Sequence, residues 1–101
     1  MIRLRPDAID AHERIHRDVP DAVLARLRAS QMTNYSIFRY GQLFVAYLEY
    51  TGEDLEGDQA AVAGDPATQA WWPVTEPLQD PVPELAPGEW CHEIQEVFHL
   101  D

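Results

Sequence analysis

Two strand-like runs meet at a glycine near the middle of the chain, and this pattern restricts the fold more than any other feature of the sequence. Residues 34–39 and 43–50 are rich in aromatic and β-branched side chains, and Gly41 lies in the short segment between them. Such runs on both sides of a glycine-containing turn are typical of a β-hairpin. We therefore predict an antiparallel hairpin at the centre of the fold.

Helical patterns lie on both sides of this hairpin. Residues 2–5 alternate as a short strand, and residues 7–27 then place apolar side chains at helical spacing. Pro20 interrupts that spacing, so we predict two helical pieces with a kink or a break at the proline. After the hairpin, residues 54–63 and residues 65–72 predict two further helices, each beginning at an aspartate that can cap it.

The C-terminal third of the sequence has a different pattern. Five prolines between residues 73 and 89 predict an extended loop without regular structure, and residues 93–100 alternate as a closing strand. The resulting order β-α-β-β-α-β is the split-βαβ or ferredoxin-like arrangement. We predict an α+β fold with a four-stranded antiparallel sheet and helices on one face, forming a single domain over residues 1–101.

Composition removes several classes of partner. The chain carries 18 acidic residues against 7 basic ones, all of them arginines at or before Arg39, for a formal net charge of −11. Nucleic acid and anionic membranes attract clustered basic residues, so neither is expected as a partner. A neutral or cationic small ligand is compatible with this charge.

Compartment and processing follow from what the sequence lacks. The single cysteine, Cys91, cannot form a disulfide framework within the chain, which favours a reducing compartment. No N-terminal apolar segment resembles a signal peptide, and no apolar run approaches the roughly 18 residues of a membrane span. We expect a cytoplasmic protein.

Strand parity gives a first indication of a site. Tyr35 and Arg39 share one face of the hairpin, and Gln95 and His99 alternate in the same way on the predicted last strand. This face is unusually polar for a surface that packs on helices. We expect it to be the second face of the sheet, serving as a pocket, as a contact between two copies, or as both.

A short histidine motif raises a metal-dependent alternative. His12, Glu13 and His16 form a literal H-E-x-x-H on a predicted helix, the pattern of zinc proteases. A metalloprotease also needs a third ligand, which His92 or His99 would have to supply, and a substrate cleft. A short motif of this kind also arises by chance, so we expect no metal and no loss of activity with chelators.

Two adjacent tryptophans suggest a carbohydrate site. Trp71 and Trp72 end a predicted helix directly before the proline-rich loop, and tryptophan faces offer apolar area to the C–H patches of sugars. Alternatively, the two tryptophans pack in the core and at an interface instead of binding a sugar. Tyr35 is similarly either a ligand contact or an ordinary half-buried strand residue.

Segments along the whole chain, in order, resemble the L-rhamnose mutarotase family. They are His16 with residues 34–38, Phe44 with residues 48–50, residues 65–66 with the Trp71-Trp72 pair, and residues 96–100. The resemblance implies a ferredoxin-like domain that dimerises through its sheets, the dimeric α/β-barrel type of pairing. It also implies an isomerase that equilibrates the α and β anomers of L-rhamnose or a related 6-deoxy sugar without cofactor or metal.

The resemblance also implies roles for individual residues. His16 falls at the proton donor of the family, while Tyr35, Trp71 and Trp72 fall at sugar-binding positions. His12 stands where the family commonly has a sugar-contacting tyrosine, and we expect it to line the pocket. A non-enzymatic ferredoxin-like dimer that binds a small ligand is the alternative, since the fold alone does not define an activity.

Overall fold

The computed structural model describes residues 1–83 and 85–101 and shows one α+β domain. Three strands form a single antiparallel sheet in the order β1-β3-β2, and four α-helices and a short 3-10 helix complete the described elements. The strands are β1 (Ile2–Arg3), β2 (Met32–Tyr40) and β3 (Leu43–Tyr50); the helices are α1 (Ile9–His16), α2 (Asp21–Ala29), α3 (Leu55–Ala63) and α4 (Pro66–Thr75), with the 3-10 helix at Glu76–Leu78.

The predicted hairpin is confirmed. Strands β2 and β3 pair antiparallel, with Ile37 opposite Ala46 and Phe38 opposite Val45. The turn between them uses Gly41 at a φ of +59°, a left-handed conformation that only glycine adopts without a steric cost. The hairpin fixes which side chains of the two strands share a face.

A β-bulge near the start of β2 interrupts the alternation of its side chains between the two faces of the sheet. Thr33 pairs with Glu49 and Ser36 with Tyr47, so Asn34 and Tyr35 together lie opposite one residue of β3. Asn34 reaches a φ of +46° at this point. Because a bulge adds one residue to one strand, it re-aims the side chains that follow and precede it. Tyr35 and Ile37 nevertheless line the same cavity, on the same side of the strand.

The starts of the helices and the break at Pro20 lie within two residues of the predicted positions. Pro20 separates α1 from α2, since a proline has no backbone N–H to continue a helical ladder. The Asp54 side chain accepts a hydrogen bond from the Gly57 amide at the start of α3, and Asp65 accepts one from the Thr68 amide at the start of α4. These aspartates satisfy backbone donors that a helix start leaves free. Within the described residues, none of the helices is long and apolar enough to cross a membrane.

A small apolar core joins the sheet to the loop after α4. Ile2, Leu4 and Phe44 are buried together, with Ile9 of α1 packed against them. The Leu4 amide donates to the Gln42 carbonyl, and Leu4 also bridges to Gln79. Strand β1 is therefore held between β3 on one side and residues 78–80 on the other.

The predicted fourth strand does not join the sheet. Residues 93–100 lie outside every described strand and are exposed to solvent, so the sheet has three strands rather than four. The physical reason lies in β1, which pairs with β3 over only Ile2 and Arg3. His92 and Met1 exchange backbone hydrogen bonds, but no backbone hydrogen bond among the described residues joins residues 93–100 to a strand.

The proline-rich segment is more ordered than predicted. Helix α4 continues through Pro73 to Thr75, and a 3-10 helix follows at Glu76–Leu78. Residues 81–83 and 85–87 form no helix or strand, as the sequence predicts for that part. A proline is tolerated where its missing N–H and its ring affect only the last turn.

The two faces of the sheet differ from the expectation drawn from parity. Tyr35, Ile37 and Arg39 do share one face, but that face lies toward α1, α2 and α4, where these side chains line cavities. The opposite face carries Phe38, which is 62% exposed, and Tyr40, which is 89% exposed. The polar side chains can therefore lie toward the helices, because the space between helices and sheet is incompletely filled. The opposite face, which we call the free face of the sheet, is the apolar one.

Candidate functional site

His16 is held in one tautomer at the end of α1. Its Nδ1 lies 2.8 Å from the backbone carbonyl oxygen of His12. A carbonyl oxygen only accepts hydrogen bonds, so Nδ1 carries the proton and donates it. In the neutral imidazole the other nitrogen, Nε2, then holds the free lone pair, and it is the atom at which His16 gains and loses a proton.

His12 is buried directly beneath this histidine. Its side chain is 4% exposed, its ring centre lies 4.2 Å from that of His16, and it lies 4.9 Å from that of Phe44. The His12 Nε2 atom is buried and has no hydrogen-bond partner among the described residues. Burial, with the nearby charge of protonated His16 as the second cause, lowers the pKa of His12 from 6.5 to about 4. His12 is therefore neutral near pH 7.

The lowered pKa of His12 predicts a pH-dependent stability. The unfolded chain takes up a proton at this residue near pH 6.5, whereas the folded protein does so only near pH 4. Between these values the unfolded state binds more protons, so the free energy of unfolding falls as the pH falls, by on the order of 1–3 kcal/mol from this residue. Urea titrations at pH 7 and pH 4.5 should show the loss in the parent protein and a smaller loss in His12→Phe. The same loss in both proteins would contradict this account of His12.

A cavity of about 380 Å³ opens beside His16. The ring of Trp71 meets the His16 ring edge to face, with centres 5.9 Å apart, and Tyr35 contributes a third aromatic side chain. The rest of the wall is aliphatic and comes mainly from α2, consisting of Val19, Val23, Leu24, Leu27 and Ile37. His16 thus lines a space whose other walls are aromatic and aliphatic side chains.

Trp72 lies on a second cavity, although it is adjacent to Trp71 in sequence. Consecutive helical residues point about 100° apart, and Trp72 faces a space of about 350 Å³ that is also lined by Tyr35, Ala46 and Trp90. Tyr35 lines both cavities. The structure therefore places the two tryptophans on different cavities, each of which Tyr35 also lines.

The Tyr35 phenol keeps its proton at neutral pH. Burial raises the pKa of Tyr35, and the charge of a deprotonated Cys91 thiol would raise it further. A protonated phenol can donate one hydrogen bond and accept another. Tyr35 is consequently suited to hold a hydroxyl group rather than to act as a base.

Glu13 is engaged by an arginine. The Arg39 side chain donates from Nε to Glu13 Oε1 at 2.5 Å and from a terminal nitrogen to the Gly41 carbonyl at 3.0 Å. This ion pair joins α1 to the hairpin beside a third cavity that also includes both His12 and His16. Glu13 of the H-E-x-x-H motif thus has a structural partner, and among the described residues no group of three metal-ligating side chains is found.

Several residues that line these cavities were not predicted from the sequence. Arg39 entered only through strand parity, and Trp90, whose indole N–H donates to Gln79 Oε1, was not considered. For the aliphatic residues of α2, the sequence predicted an apolar helix face but not that this face lines a cavity. The helical spacing of Val23 and Leu27 was a usable signal, because residues four apart on α2 share one face, and this face lines the cavity of His16.

The fold and the cavities define a class of protein before any comparison is made. A histidine in one tautomer lies beside aromatic and aliphatic walls in a small α+β domain, an arrangement compatible with an enzyme that acts on a compact, partly apolar substrate. A family model described as L-rhamnose mutarotase matches residues 1–100, and the chain belongs to this family. It is a sugar mutarotase, an isomerase that interconverts the anomers of a reducing sugar.

Curated relatives are similar to this chain over most of their length. The L-fucose mutarotase of Xanthomonas campestris is 35% identical over 106 aligned positions, covering 99% of this chain and 84% of that protein. The L-rhamnose mutarotase of Opitutus terrae is 35% identical, covering 89% of this chain and 84% of that protein. The L-rhamnose mutarotase of Oceanobacillus iheyensis is 29% identical, covering 95% and 89% respectively.

Proposed function

We propose that this mutarotase acts on L-rhamnose or a related 6-deoxy sugar such as L-fucose, with His16 as its acid–base residue. The observation that carries the proposal is the hydrogen bond from His16 Nδ1 to the His12 carbonyl. It leaves Nε2 as the proton-exchanging atom of a histidine that lines the cavity with Tyr35 and Trp71. The relatives named for L-rhamnose and L-fucose support the choice of sugar class.

The proposed mechanism requires His16 to deliver one proton to the ring oxygen of the sugar. Protonated His16 delivers the Nε2 proton to the ring oxygen of the pyranose while the anomeric hydroxyl loses its proton to water. The bond from C1 to the ring oxygen breaks, the C1–C2 bond rotates, and the reverse steps close the ring on the other face. General acid–base help of this kind contributes about 10²–10⁴-fold, which suits a reaction that already proceeds in water.

The aliphatic wall supports a 6-deoxy sugar in particular. Val23, Leu24 and Leu27 offer an apolar surface on which the methyl group of such a sugar can be buried. A hydroxyl group at the same carbon would lose its hydrogen bonds to water there, at a cost of roughly 1–3 kcal/mol. Discrimination between a 6-deoxy sugar and its 6-hydroxy counterpart is therefore a sensitive test of the proposal.

Saturation-transfer NMR on matched sugars tests this choice. L-rhamnose should exchange anomers faster than L-mannose, and L-fucose faster than L-galactose, by about 5–100-fold in the catalysed rate per enzyme, the range that 1–3 kcal/mol implies. Each pair differs only in the 6-hydroxyl group. Equal catalysed rates within both pairs would count against the 6-deoxy specificity.

Substitution of the tryptophans tests which cavity holds the sugar. Trp71→Ala should weaken apparent sugar binding by on the order of 1–3 kcal/mol, the scale of burying a large apolar side chain. The family resemblance leads us to expect a similar loss for Trp72→Ala, through the second cavity that Tyr35 also lines. The rise in KM is measured from anomer exchange at several sugar concentrations. Trp90→Ala is the comparison variant, because Trp90 lines only the cavity of Trp72. Unchanged KM in both Trp71→Ala and Trp72→Ala, in folded proteins, would place the sugar elsewhere.

We also propose that the domain is ferredoxin-like and that two copies pair through the free face of the sheet. Phe38, Tyr40, Val45 and Tyr47 are exposed apolar or aromatic side chains on this outer face. Contiguous exposed apolar surface of this kind is typical of an interaction site. The homodimer is the pairing that the family resemblance implies.

Sedimentation equilibrium tests the homodimer. The parent chain should sediment as a dimer at micromolar concentration, and Phe38→Asp should shift it to monomer because a carboxylate would be buried at the contact. Val74→Asp is the matched control, since Val74 is an exposed apolar residue on α4 and is not on the sheet. A monomeric parent chain would overturn the proposed pairing.

The remaining proposals concern cofactors, metals, cellular location and partners. We propose that it needs no cofactor and no metal, that it works in the cytoplasm, and that its partners are a monosaccharide and a second copy. Treatment with a chelator followed by gel filtration should leave the exchange rate unchanged. Stoichiometric zinc in the purified protein, with loss of activity on its removal, would favour the H-E-x-x-H alternative.

A further inference from the structure

His16 lines two different cavities. One is the cavity of about 380 Å³ with aliphatic and aromatic walls, which we call the apolar cavity. The other has a volume of about 420 Å³ and contains charged side chains, so we call it the charged cavity; it is lined by His12, Glu13, His16, Arg17, Ile37 and Arg39. His16 and Ile37 are common to both linings. The proton-exchanging histidine therefore lies where an apolar space meets a charged one.

Glu13 lines the charged cavity and uses only one of its carboxylate oxygens within the protein. Its Oε1 atom accepts a hydrogen bond from Arg39 Nε at 2.5 Å, and the Arg39 guanidinium also donates to the Gly41 carbonyl oxygen. Among the described residues, Glu13 Oε2 has no hydrogen-bond partner. A carboxylate accepts hydrogen bonds through both of its oxygens. Glu13 is therefore held in place through one oxygen and can bind a ligand through the other.

Glu13 is also the group of this cavity that is best suited to accept a proton. Arginine has hydrogen-bond donors only and stays protonated in proteins, so Arg17 and Arg39 cannot take a proton from a ligand. His12 is 4% exposed, with its Nε2 atom enclosed, and offers little surface to a ligand. Glu13 and His16 are three residues apart on α1, a spacing at which helical side chains are neighbours. A base and an acid thus lie side by side.

The chemistry of a pyranose matches this pair of cavities. Its ring oxygen is bonded to C1, which carries the anomeric hydroxyl, and to C5, which carries the methyl group of a 6-deoxy hexose. A sugar whose ring oxygen meets His16 Nε2 can place its methyl group in the apolar cavity and its anomeric hydroxyl in the charged cavity. Ring opening needs one proton to reach the ring oxygen and another to leave the anomeric hydroxyl. An acid at the ring oxygen and a base at the anomeric hydroxyl both assist it.

We propose that Glu13 is the second catalytic residue of this mutarotase and accepts the proton of the anomeric hydroxyl, in place of water. Protonated His16 gives its Nε2 proton to the ring oxygen while Glu13 Oε2 takes the hydroxyl proton. The electron pair of that O–H bond forms the carbonyl, and the bond from C1 to the ring oxygen breaks. After rotation about C1–C2, the C5 hydroxyl attacks C1 and returns its proton to His16, and Glu13 returns its proton to the former carbonyl oxygen. This inference rests on the proposed role of His16.

Glu13→Gln tests the proposal with little change in shape. The amide oxygen of glutamine can still accept the hydrogen bond from Arg39, but an amide does not take up a proton near neutral pH. By saturation-transfer NMR, kcat for L-rhamnose should fall on the order of 10²-fold, the lower end of the range for a general acid–base group, because water can still accept the proton. Asp10→Asn, which removes the same charge from an exposed position of α1, should leave kcat unchanged. An unchanged kcat in Glu13→Gln would overturn the proposal.

Arg39→Gln separates catalysis by Glu13 from its ion pair. This change breaks the same contact between α1 and the hairpin but keeps the carboxylate. The fall in kcat should therefore be smaller than in Glu13→Gln. Equal losses in the two variants would show that Glu13 acts only by holding α1 against the hairpin.

Formate supplies a readout that a purely structural role would not change. Glu13→Ala leaves room in the charged cavity for this small carboxylate, and added sodium formate should raise the catalysed rate of that variant about tenfold or more, in proportion to enzyme concentration. Sodium chloride at the same ionic strength should not raise it. Glu13→Gln, whose side chain still fills the space, should not respond to formate. The same response in Glu13→Ala and Glu13→Gln would overturn the assignment of Glu13.

His16→Asn, measured in the same series, keeps this proposal apart from the proposed function. The expected result is a loss of exchange in both His16→Asn and Glu13→Gln. Loss in His16→Asn alone would overturn the role of Glu13 and leave that of His16 in place. A fully active His16→Asn would overturn both roles.

Discussion

His16→Asn is expected to abolish catalysed anomer exchange, reducing the rate per enzyme by about 10²–10⁴-fold, the range for removal of a general acid–base group. Asparagine cannot gain and lose a proton near neutral pH, so the step at Nε2 has no replacement. Saturation-transfer NMR with L-rhamnose measures the catalysed rate. Because His16 is only partly buried, the free energy of unfolding should change by less than about 1 kcal/mol.

His12→Phe is the matched variant for this experiment. It keeps an aromatic ring between His16 and Phe44, and it keeps the backbone carbonyl that holds His16 Nδ1. The substituted protein should retain measurable exchange. Equal losses from His12→Phe and His16→Asn, or a fully active His16→Asn, would show that the acid–base role is assigned to the wrong histidine.

Leu4→Ala is expected to have the largest effect on stability, lowering the free energy of unfolding by about 2–5 kcal/mol. Leu4 is completely buried with Ile2 and Phe44, and β1 is too short to compensate for a cavity in the core. Urea titration followed by tryptophan fluorescence measures the loss.

Leu55→Ala provides the comparison for this change. It removes the same atoms from an exposed position on α3, where the loss should stay below about 1 kcal/mol. Similar losses in the two variants would show that the core around Leu4 does not dominate the stability of the domain.

The hairpin and the helix boundaries were predictable because local chemistry determines them. Gly41 accepts the positive φ of the turn, Pro20 ends one helix, and Asp54 and Asp65 cap two others. Each of these effects acts within a few residues of the chain. Sequence alone was sufficient for them.

The sheet edge and the arrangement of the two tryptophans were not predictable in the same way. Alternation in residues 93–100 indicates a strand, but it does not reveal whether another strand lies beside them. Trp71 and Trp72 both fell at sugar-binding positions of the family, yet the helix directs them to different cavities. The bulge at Asn34 and Tyr35 depends on pairing with β3, which no local pattern reports.

Which face of the sheet meets the helices also depended on packing. Tyr35 and Arg39 are polar enough to suggest the face of the sheet away from the helices, as a pocket or a contact between two copies. Both instead lie toward the helices, where they line cavities and Arg39 binds Glu13. The roles of His12, His16 and Tyr35 in binding or catalysis stay predictions. Their positions around shared cavities are what the structure contributes.

The central claim is that His16 Nε2 catalyses sugar ring opening, and the pH dependence of anomer exchange tests it most directly. Saturation-transfer NMR with L-rhamnose, with chelator present, should give a catalysed rate proportional to enzyme concentration. The catalysed rate should change with pH because ring opening needs a proton on His16 Nε2, whereas His12, with its pKa of about 4, is neutral near pH 7. This pH dependence should disappear in His16→Asn and persist in His12→Phe. A rate that does not depend on enzyme concentration, or the same pH dependence in His16→Asn, would contradict the account.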